Sequence, residues 1–583
     1  MQPQITVLDA GGQYCHLIAR KVRDLGVYAE VRPSDTPAGE LAGRKGIIIS
    51  GGPSSVYEAG SPQMDPAVFA AGAGVLGICY GQQLMAYLMG GHVRKGDKGE
   101  YGLAKLRITA DVPLFRGIEG EQQIWMSHRD VVGEVPPGFA VTGSTSTCEI
   151  AAMADPSRKL FAVQFHPEVV HTPSGLDILR NFLFDVCACE RDWNAAGQIE
   201  SLEQHIRDVA AGRNVFFFVS GGVDSTVAYT LCLRALGPER VYGAYVDSGL
   251  MREGETEFVR GLFERLGATH FRVEDARREF LSALEGVCEP EKKRHIIGEQ
   301  FVQVQERVLQ GGRFLDGQWI LGQGTIYPDT IESGGTARAD LIKTHHNRVA
   351  GIQRLIESGR IIEPLTQFYK DEVRRIGREL GLPEEMLARH PFPGPGLAIR
   401  CLCSDEAATV ERIADGWILP VHSVGVQGDS RSYRPVLAVD GFPEHPEYVA
   451  ELVNRISVIN LVVARVASRV ALDDVSVRPA ALNEQRLARL RRVDAIVRKA
   501  THDSGFDRRI WQMPVVLIPA GTSEHPDSVV LRPIDSVDGM TAQAVVMPSD
   551  LLKQLSDDLL AVDGVCAVLY DVTNKPPGTI EWE

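Results

Sequence analysis

The chain has no run of about eighteen or more apolar residues, the minimum for a helix that crosses a bilayer. Its opening, MQPQITVLDAGG, has neither the basic segment nor the apolar stretch of a signal peptide. No membrane span and no export are the expectations. Positive charge is also in deficit, since 61 Lys and Arg against 76 Asp and Glu leave a formal charge of −15. That excludes a general affinity for nucleic acid or anionic lipid, so any phosphate must be held in a local pocket. The ten cysteines are scattered. Neither Cys187-Ala-Cys189 nor Cys401-Leu-Cys403 has zinc-finger spacing or a second pair to complete one. A reduced, cytoplasmic, soluble setting is expected.

What is there begins with length: 583 residues exceed what one hydrophobic core organises, so about two to four domains are expected. The 58 glycines, with little low-complexity sequence, point to the tight loops of α/β units. One such loop lies in GVLGICYGQQLMAYLMGG. The uncharged residues 75–78 predict a buried parallel strand, and Leu84, Tyr87 and Leu88 recur at helical spacing. Cys79 sits at the turn between them. Gly77 and Gly81 permit close backbone packing, which makes Gly-x-Cys-x-Gly an analogue of the Gly-x-Ser-x-Gly nucleophile elbow. A thiol at a helix N-terminus gains thiolate character from the aligned backbone dipoles. A buried, inert cysteine is the commoner case, and more is needed to set it aside.

The segment AVQFHPEV (residues 162–169) supplies it, with His166 as a base and Glu168 close enough in sequence to orient the imidazole. A third strand-like run, GIIISGGPSSV, leads to Gly51-Gly52-Pro53, where backbone N–H groups can meet an oxyanion. Cys, His and Glu in this chain order resemble the class I glutamine amidotransferases over about residues 1–190. The resemblance implies a triad that hydrolyses the glutamine side-chain amide through a thioester. It implies Cys79 as nucleophile, His166 as general base, Glu168 as its partner, and Gly52 with the Tyr80 N–H as oxyanion donors. WMSHRD (residues 125–130) is similar to part of that family's glutamine pocket.

A second junction lies in NVFFFVSGGVDSTVAYTLCLRAL. An apolar strand at 215–219 delivers Ser220, Gly221, Gly222, Val223, Asp224, Ser225 and Thr226 to the start of a helix. Inward-facing amides, hydroxyls and the helix N-terminus favour a phosphate-type anion. The loop lacks the Lys of a Walker motif and resembles the Ser-Gly-Gly-x-Asp-Ser loop of the ATP pyrophosphatases, which implies adenylation. RVYGAYVDSGL predicts a second parallel strand ending at Asp247, near the nucleotide position of such folds. Ammonia made in an adjoining domain would then replace an activated oxygen by an amine.

The acceptor is narrowed by EKKRHIIGEQF, LGQGTIYPDTIES, LIKTHHN, EPLTQFYKDEVR and RHPFPGPGLAIR, which follow in order. Lys343, Lys370 and Arg294 lie in stretches rich in Gly, Pro and His rather than on obvious exposed helix faces. With both junctions these strings resemble the glutamine-hydrolysing GMP synthetases over the whole chain. The resemblance implies xanthosine 5′-monophosphate (XMP) as acceptor, aminated to GMP through an adenylyl intermediate, with ATP and Mg²⁺ and no organic redox cofactor. It implies nucleotide contacts from Arg294, Asp429 in VGVQGDSRSY, Gln512 in WQMPVVLIP, Lys575 and Glu581, residue types suited to phosphate, ribose and purine edges. Lys343 and Lys370 are candidates for holding the ATP phosphates or stabilising the adenylyl transfer. Mg²⁺ is expected to bridge those phosphates, and its protein ligands are not legible.

An α/β, multidomain architecture follows: an amidotransferase domain at 1–192, a doubly wound parallel-sheet pyrophosphatase domain at 197–400 and an α+β domain at 401–583. The third carries an insertion at about 435–527 relative to the family's shorter form. Within it ELVNRISVINLVVARV loosely repeats LLKQLSDDLLAVDGVCAVLYDV, each an amphipathic helix, a turn at Asn460 or Gly564 and a β-branched strand. An internally duplicated unit that covers its own pairing surface is expected, hence a monomer, with a homodimer as the alternative. NKPPGTIEWE (residues 574–583) is expected to wrap a ligand rather than fray. Two competing functions are a glutamine-dependent ligase with another carbonyl acceptor and a non-catalytic amidotransferase-like regulator. The intact triad and loop weigh against the second.

Overall fold

A computed structural model describes the chain apart from residues 1, 13, 333–349, 428–429, 444–445 and 537–541, and apart from the side chains of 97–98, 330–332, 350, 426–427, 430–431 and 446–447. The sequence expectations at Lys343 and Asp429 lie outside the described residues. The chain divides into two compact units, Met1–Gly197 and Gln198–Glu583.

In the first unit β1 (Ile5–Asp9), β2 (Ala29–Pro33), β3 (Gly46–Ile49), β4 (Gly74–Ile78), β5 (His92–Ile108), β6 (Glu121–Glu134), β7 (Ala140–Ser144), β8 (Ala152–Asp155) and β9 (Leu160–Val163) form one sheet in the order β2-β1-β3-β4-β9-β8-β7-β5-β6. The five strands from β2 to β9 run parallel and the rest antiparallel. The difference is written in the residues. Every residue of β3 and β4 is buried, as expected of strands covered on both faces, whereas β6 alternates buried and accessible positions. The C-terminal ends of β3, β4 and β9 converge, and they carry Gly51-Gly52, Cys79 and, three residues on, His166.

The second unit begins with a parallel sheet of β10 (Asn214–Phe218), β11 (Val241–Asp247), β12 (His270–Asp275), β13 (Trp319–Gly322) and β14 (Ile361–Ile362) in the order β12-β11-β10-β13-β14. Strand order reverses on either side of β10. Residues 220–224 therefore leave β10 at the switch point where such sheets bind ligands.

A seven-stranded mixed sheet follows, ordered Glu411–Ile413, Gly416–Gln427, Ser430–Asp440, Leu461–Ser468, Val565–Asp571, Asp527–Leu531, Val515–Ile518. The six strands other than Glu411–Ile413 are two copies of one unit. In each, an antiparallel hairpin is followed by a helix, Pro446–Arg455 or Ser549–Leu560, and by a strand parallel to the hairpin's second arm. The third strands of the copies pair antiparallel, Ala464 opposite Tyr570. The expected duplication is therefore visible in the topology, related by a pseudo-two-fold between these strands.

The expected border at residues 400–401 crosses a continuous core. Phe216 and Leu321 of the parallel sheet, Leu397 and Cys401 of the connection, and Leu490, Val515 and Tyr570 further on belong to one buried apolar cluster. Burial on that scale, at roughly 25 cal/mol per Å² of apolar surface, explains why residues 198–583 cohere.

Candidate active site

β4 hands directly to the helix Tyr80–Leu88, and Cys79 between them adopts φ 55°, ψ −106°, a strained conformation that over-determined surroundings must hold. The neighbours are glycine for steric reasons. A Cβ at Gly77 would stand 2.5 Å from the Gly81 carbonyl O, and one at Gly81 would stand 2.3 Å from that of Ile49. The elbow anticipated from Gly-x-Cys-x-Gly is thus forced by contact.

His166 and Glu168 are both buried, and His166 Nδ1 donates to Glu168 Oε1 at 2.7 Å. The His166 backbone is tied down on both sides: its N–H donates to Trp125 O at 3.0 Å and its O accepts from Thr172 Oγ1 at 2.7 Å. A Cβ placed on Gly51 would stand 3.1 Å from His166 Cε1 and 3.6 Å from Cys79 Cβ. Nucleophile and base therefore meet over that glycine. At Gly52 a Cβ would stand 2.4 Å from Ala10 O, so this residue too is confined to glycine. Ser50 Oγ fixes the loop by accepting from Ala10 N and donating to Gly51 O, both at 3.0 Å. Burial alone would lower the His166 pKa, but the Glu168 carboxylate and Cys79 outweigh it and push it up to about 10.

WMSHRD lies on β6 and borders the triad. Ser127 O stands 3.7 Å from Cys79 Sγ as its acceptor, and Trp125 O holds His166. His128 is buried between Asp130 O at Nδ1 and Glu100 Oε2 at Nε2, each 3.0 Å away, and burial lowers its pKa. Gln83 Nε2 holds Asp130 O at 2.8 Å from the other side. Ligand atoms of Glu100, His128 and Cys148 lie within 4.8 Å of one another, but both ring nitrogens of His128 are already engaged. Sequence alone does not single out Glu100 or Cys148. They stand 28 and 20 residues from His128 with no motif joining them.

In the second unit the 220–224 loop lines a cavity of about 570 Å³, a volume that suits a nucleotide. Gly221 is at φ 72°, where a Cβ would also strike Val259 Cγ2 at 2.7 Å. A Cβ at Gly324 would come within 2.7 Å of Ser225 N. Ser220 Oγ, Ser225 Oγ and Gly222 brace one another at 3.2 Å. Ser225 and the buried Thr226 stand behind the lining. Lys370 Nζ meets Asp224 Oδ2 at 2.6 Å within the lining. Buried polar atoms without a hydrogen-bond partner among the described residues gather there: Asp224 Oδ1, Arg294 Nε, Arg374 Nε and Arg389 Nη1. Such atoms call for a ligand, and three guanidiniums suit the phosphates of ATP.

Arg294 and Lys370 lie on regular helices, Pro290–Gly311 and Lys370–Glu379, and each is half-buried. Ile297, Val304 and Val308 are buried along the first, so tertiary packing overrides Gly298 within it. The parallel strand expected to end at Asp247 does so, and the Asp247 carboxylate accepts from Gly249 N and Thr256 Oγ1, each at 2.9 Å. Arg374 and Arg389, by contrast, are lining residues whose role sequence spacing does not announce.

Of the acceptor-contact residues, Arg294 lines the cavity. Glu581 accepts two hydrogen bonds from the buried Arg400, at 2.8 and 2.6 Å, and a third from Gln512 Nε2 at 3.3 Å. Gln512 also donates to Pro391 O at 3.0 Å, and Pro391 lines the cavity. Lys575 is half-buried, its backbone bridged to Ala542 at 2.8 and 3.1 Å. The segment 574–583 is docked, not frayed. Buried Arg532 donates to Thr573 O, Thr579 O and Ile580 O and pairs with Asp571, while Trp582 is fully buried and donates to Asp571 Oδ2 at 2.8 Å.

Residues 6–186 match the glutamine amidotransferase class-I family, 196–303 the NAD synthase family and 499–582 the GMP synthase C terminal domain. Over 594 residues the chain is 40% identical to a GMP synthase [glutamine-hydrolyzing] of Caldicellulosiruptor saccharolyticus, covering 100% of each chain. Proteins of the same description from Symbiobacterium thermophilum and Thermobifida fusca are 41% and 39% identical, covering 99% of this chain and 99% and 98% of theirs.

Proposed function

Because the chain belongs to the glutamine-hydrolysing GMP synthase family, we propose that it aminates XMP to GMP, consuming ATP and drawing ammonia from glutamine. The observation that carries this is the presence in one chain of a buried Cys79, His166 and Glu168 set and a separate phosphate-type cavity behind the 220–224 loop.

In the first reaction Cys79 passes its proton to His166 and its Sγ attacks the side-chain carbonyl carbon of glutamine. The carbonyl electron pair moves onto oxygen beside the N–H groups of Gly52 and Tyr80. When the intermediate collapses, the C–N bond breaks and protonated His166 gives its proton to the departing ammonia. Glu168 keeps the imidazole oriented and stabilises its positive charge. Water then hydrolyses the thioester to glutamate, returning the thiol. In the second reaction the XMP C2 oxygen attacks the ATP α-phosphorus and diphosphate leaves into the 220–224 loop. Ammonia then adds at C2 and expels AMP. Lys370, together with Lys343, is assigned to the ATP phosphates, and Mg²⁺ when bound neutralises their charge. Arg294, Asp429, Gln512, Lys575 and Glu581 are assigned to XMP.

A three-part organisation at 1–192, 197–400 and 401–583, a monomeric state and a cytoplasmic location complete the proposal. The self-paired duplicated sheet supports the monomer. Incubation with ATP, Mg²⁺, glutamine and XMP should yield diphosphate and GMP. Absence of both products would sink the reading.

A further inference from the structure

Helix Pro290–Gly311 has two tasks that adjacent residues divide. Arg294 lines the nucleotide cavity together with Ile297 and Phe301. Arg294 also donates to the main-chain O of Glu583. Its neighbour Lys293 has no exposed side-chain surface, and its Nζ lies 2.7 and 2.9 Å from the two carboxylate oxygens of Glu583. The remaining donor capacity of that ammonium goes to Cys401 O at 3.1 Å and Ala398 O at 3.4 Å. The pair joins residues 290 positions apart.

An apolar pair of similar volume would serve the global stability of the fold equally well. A fully hydrogen-bonded ion pair adds a defined placement, and two residues before Glu583 stands Glu581, engaged with Arg400 and Gln512. We propose that Lys293 is a positioning residue for the acceptor nucleotide: its ion pair with Glu583 latches residues 579–583 to the cavity helix and so sets Glu581 and Gln512 at the acceptor site. The inference rests on the assignment of Glu581 and Gln512 to XMP made above.

The decisive variant is the double substitution Lys293→Met with Glu583→Leu, which removes both charges and leaves none unpaired in the interior. If the pair serves stability alone, this protein behaves as wild type. If it positions the segment, the KM for XMP rises about tenfold or more while the KM for glutamine stays within about twofold. Amide hydrogen exchange at 579–583, measured without substrates, reads the latch directly and should quicken by about tenfold. A KM for XMP within about twofold of wild type overturns the positioning role. Unchanged exchange overturns the latch whatever the acceptor is. A wild-type protein that forms no GMP from XMP, yet loses its protection at 579–583 in the double variant, retains the latch and loses the assignment of function.

Discussion

His166 should govern the pH dependence of glutamine hydrolysis. Its folded-state pKa is raised to about 10, because Glu168 and Cys79 outweigh the desolvation that opposes the charge. The imidazolium is therefore present through neutral pH and lost as pH rises through about 10. The same linkage makes its contribution to stability complete below the ordinary histidine value of about 6.5 and exhausted above the folded value. Glutaminase activity should fall on the alkaline side, and Glu168→Gln should move that limb toward neutrality in a pH–rate profile. An alkaline limb at the same pH in the variant would show that Glu168 does not hold the proton. Cys79→Ala should lower glutamine-driven GMP formation by about 10³-fold or more, the usual scale for removing a covalent nucleophile, yet leave synthesis from high ammonium intact. Equal loss from both nitrogen sources would contradict the division of labour. These three residues are legible in sequence because each sits on a short local motif. Glu100, Arg374 and Arg389 are not, since their meaning arises from partners brought close by strands and helices far apart in the chain.

Elements explain why two short loops carry chemistry. Both Cys79 and residues 220–224 leave the C-terminal end of a buried parallel strand, where side chains are few and backbone dipoles are aligned. Gly81→Ala would drive a methyl into Ile49 O and, at about 1–3 kcal/mol for overpacking, should displace the elbow. Glutamine-driven activity should then drop by about tenfold with ammonium-driven activity held within about twofold, measured side by side. Asp224→Ala removes the Lys370 partner and a half-buried carboxylate of the loop. Diphosphate release should cease with either nitrogen source, and persistent release would remove the loop from the mechanism. Strand–loop–helix junctions were readable from uncharged runs followed by glycine. Helix Pro290–Gly311 was not, because its Gly and His residues weaken the local signal and its burial against Phe280 and Leu397 supplies the stability instead.

At the scale of the molecule, the second unit owes its cohesion to a shared apolar core, and composition can announce neither that core nor the sheet whose two copies pair with each other. The repeat was visible only in its helix-and-strand half. Its hairpins differ in length, 12 and 11 residues in one copy against 4 and 5 in the other, so no pattern matches there. Sedimentation equilibrium at micromolar concentration should return the single-chain mass of 63.8 kDa. Twice that value would mean the internal pairing leaves another surface to dimerise through. The pairing of Leu461–Ser468 with Val565–Asp571 has one more consequence. When two identical chains associate about a true two-fold, every substitution appears on both sides and must suit both. Covalent fusion of the halves releases them from that constraint, so each drifts independently. One half here has kept the segment 573–583 beyond its last strand, while the other leads instead into the helix Glu484–Asp503.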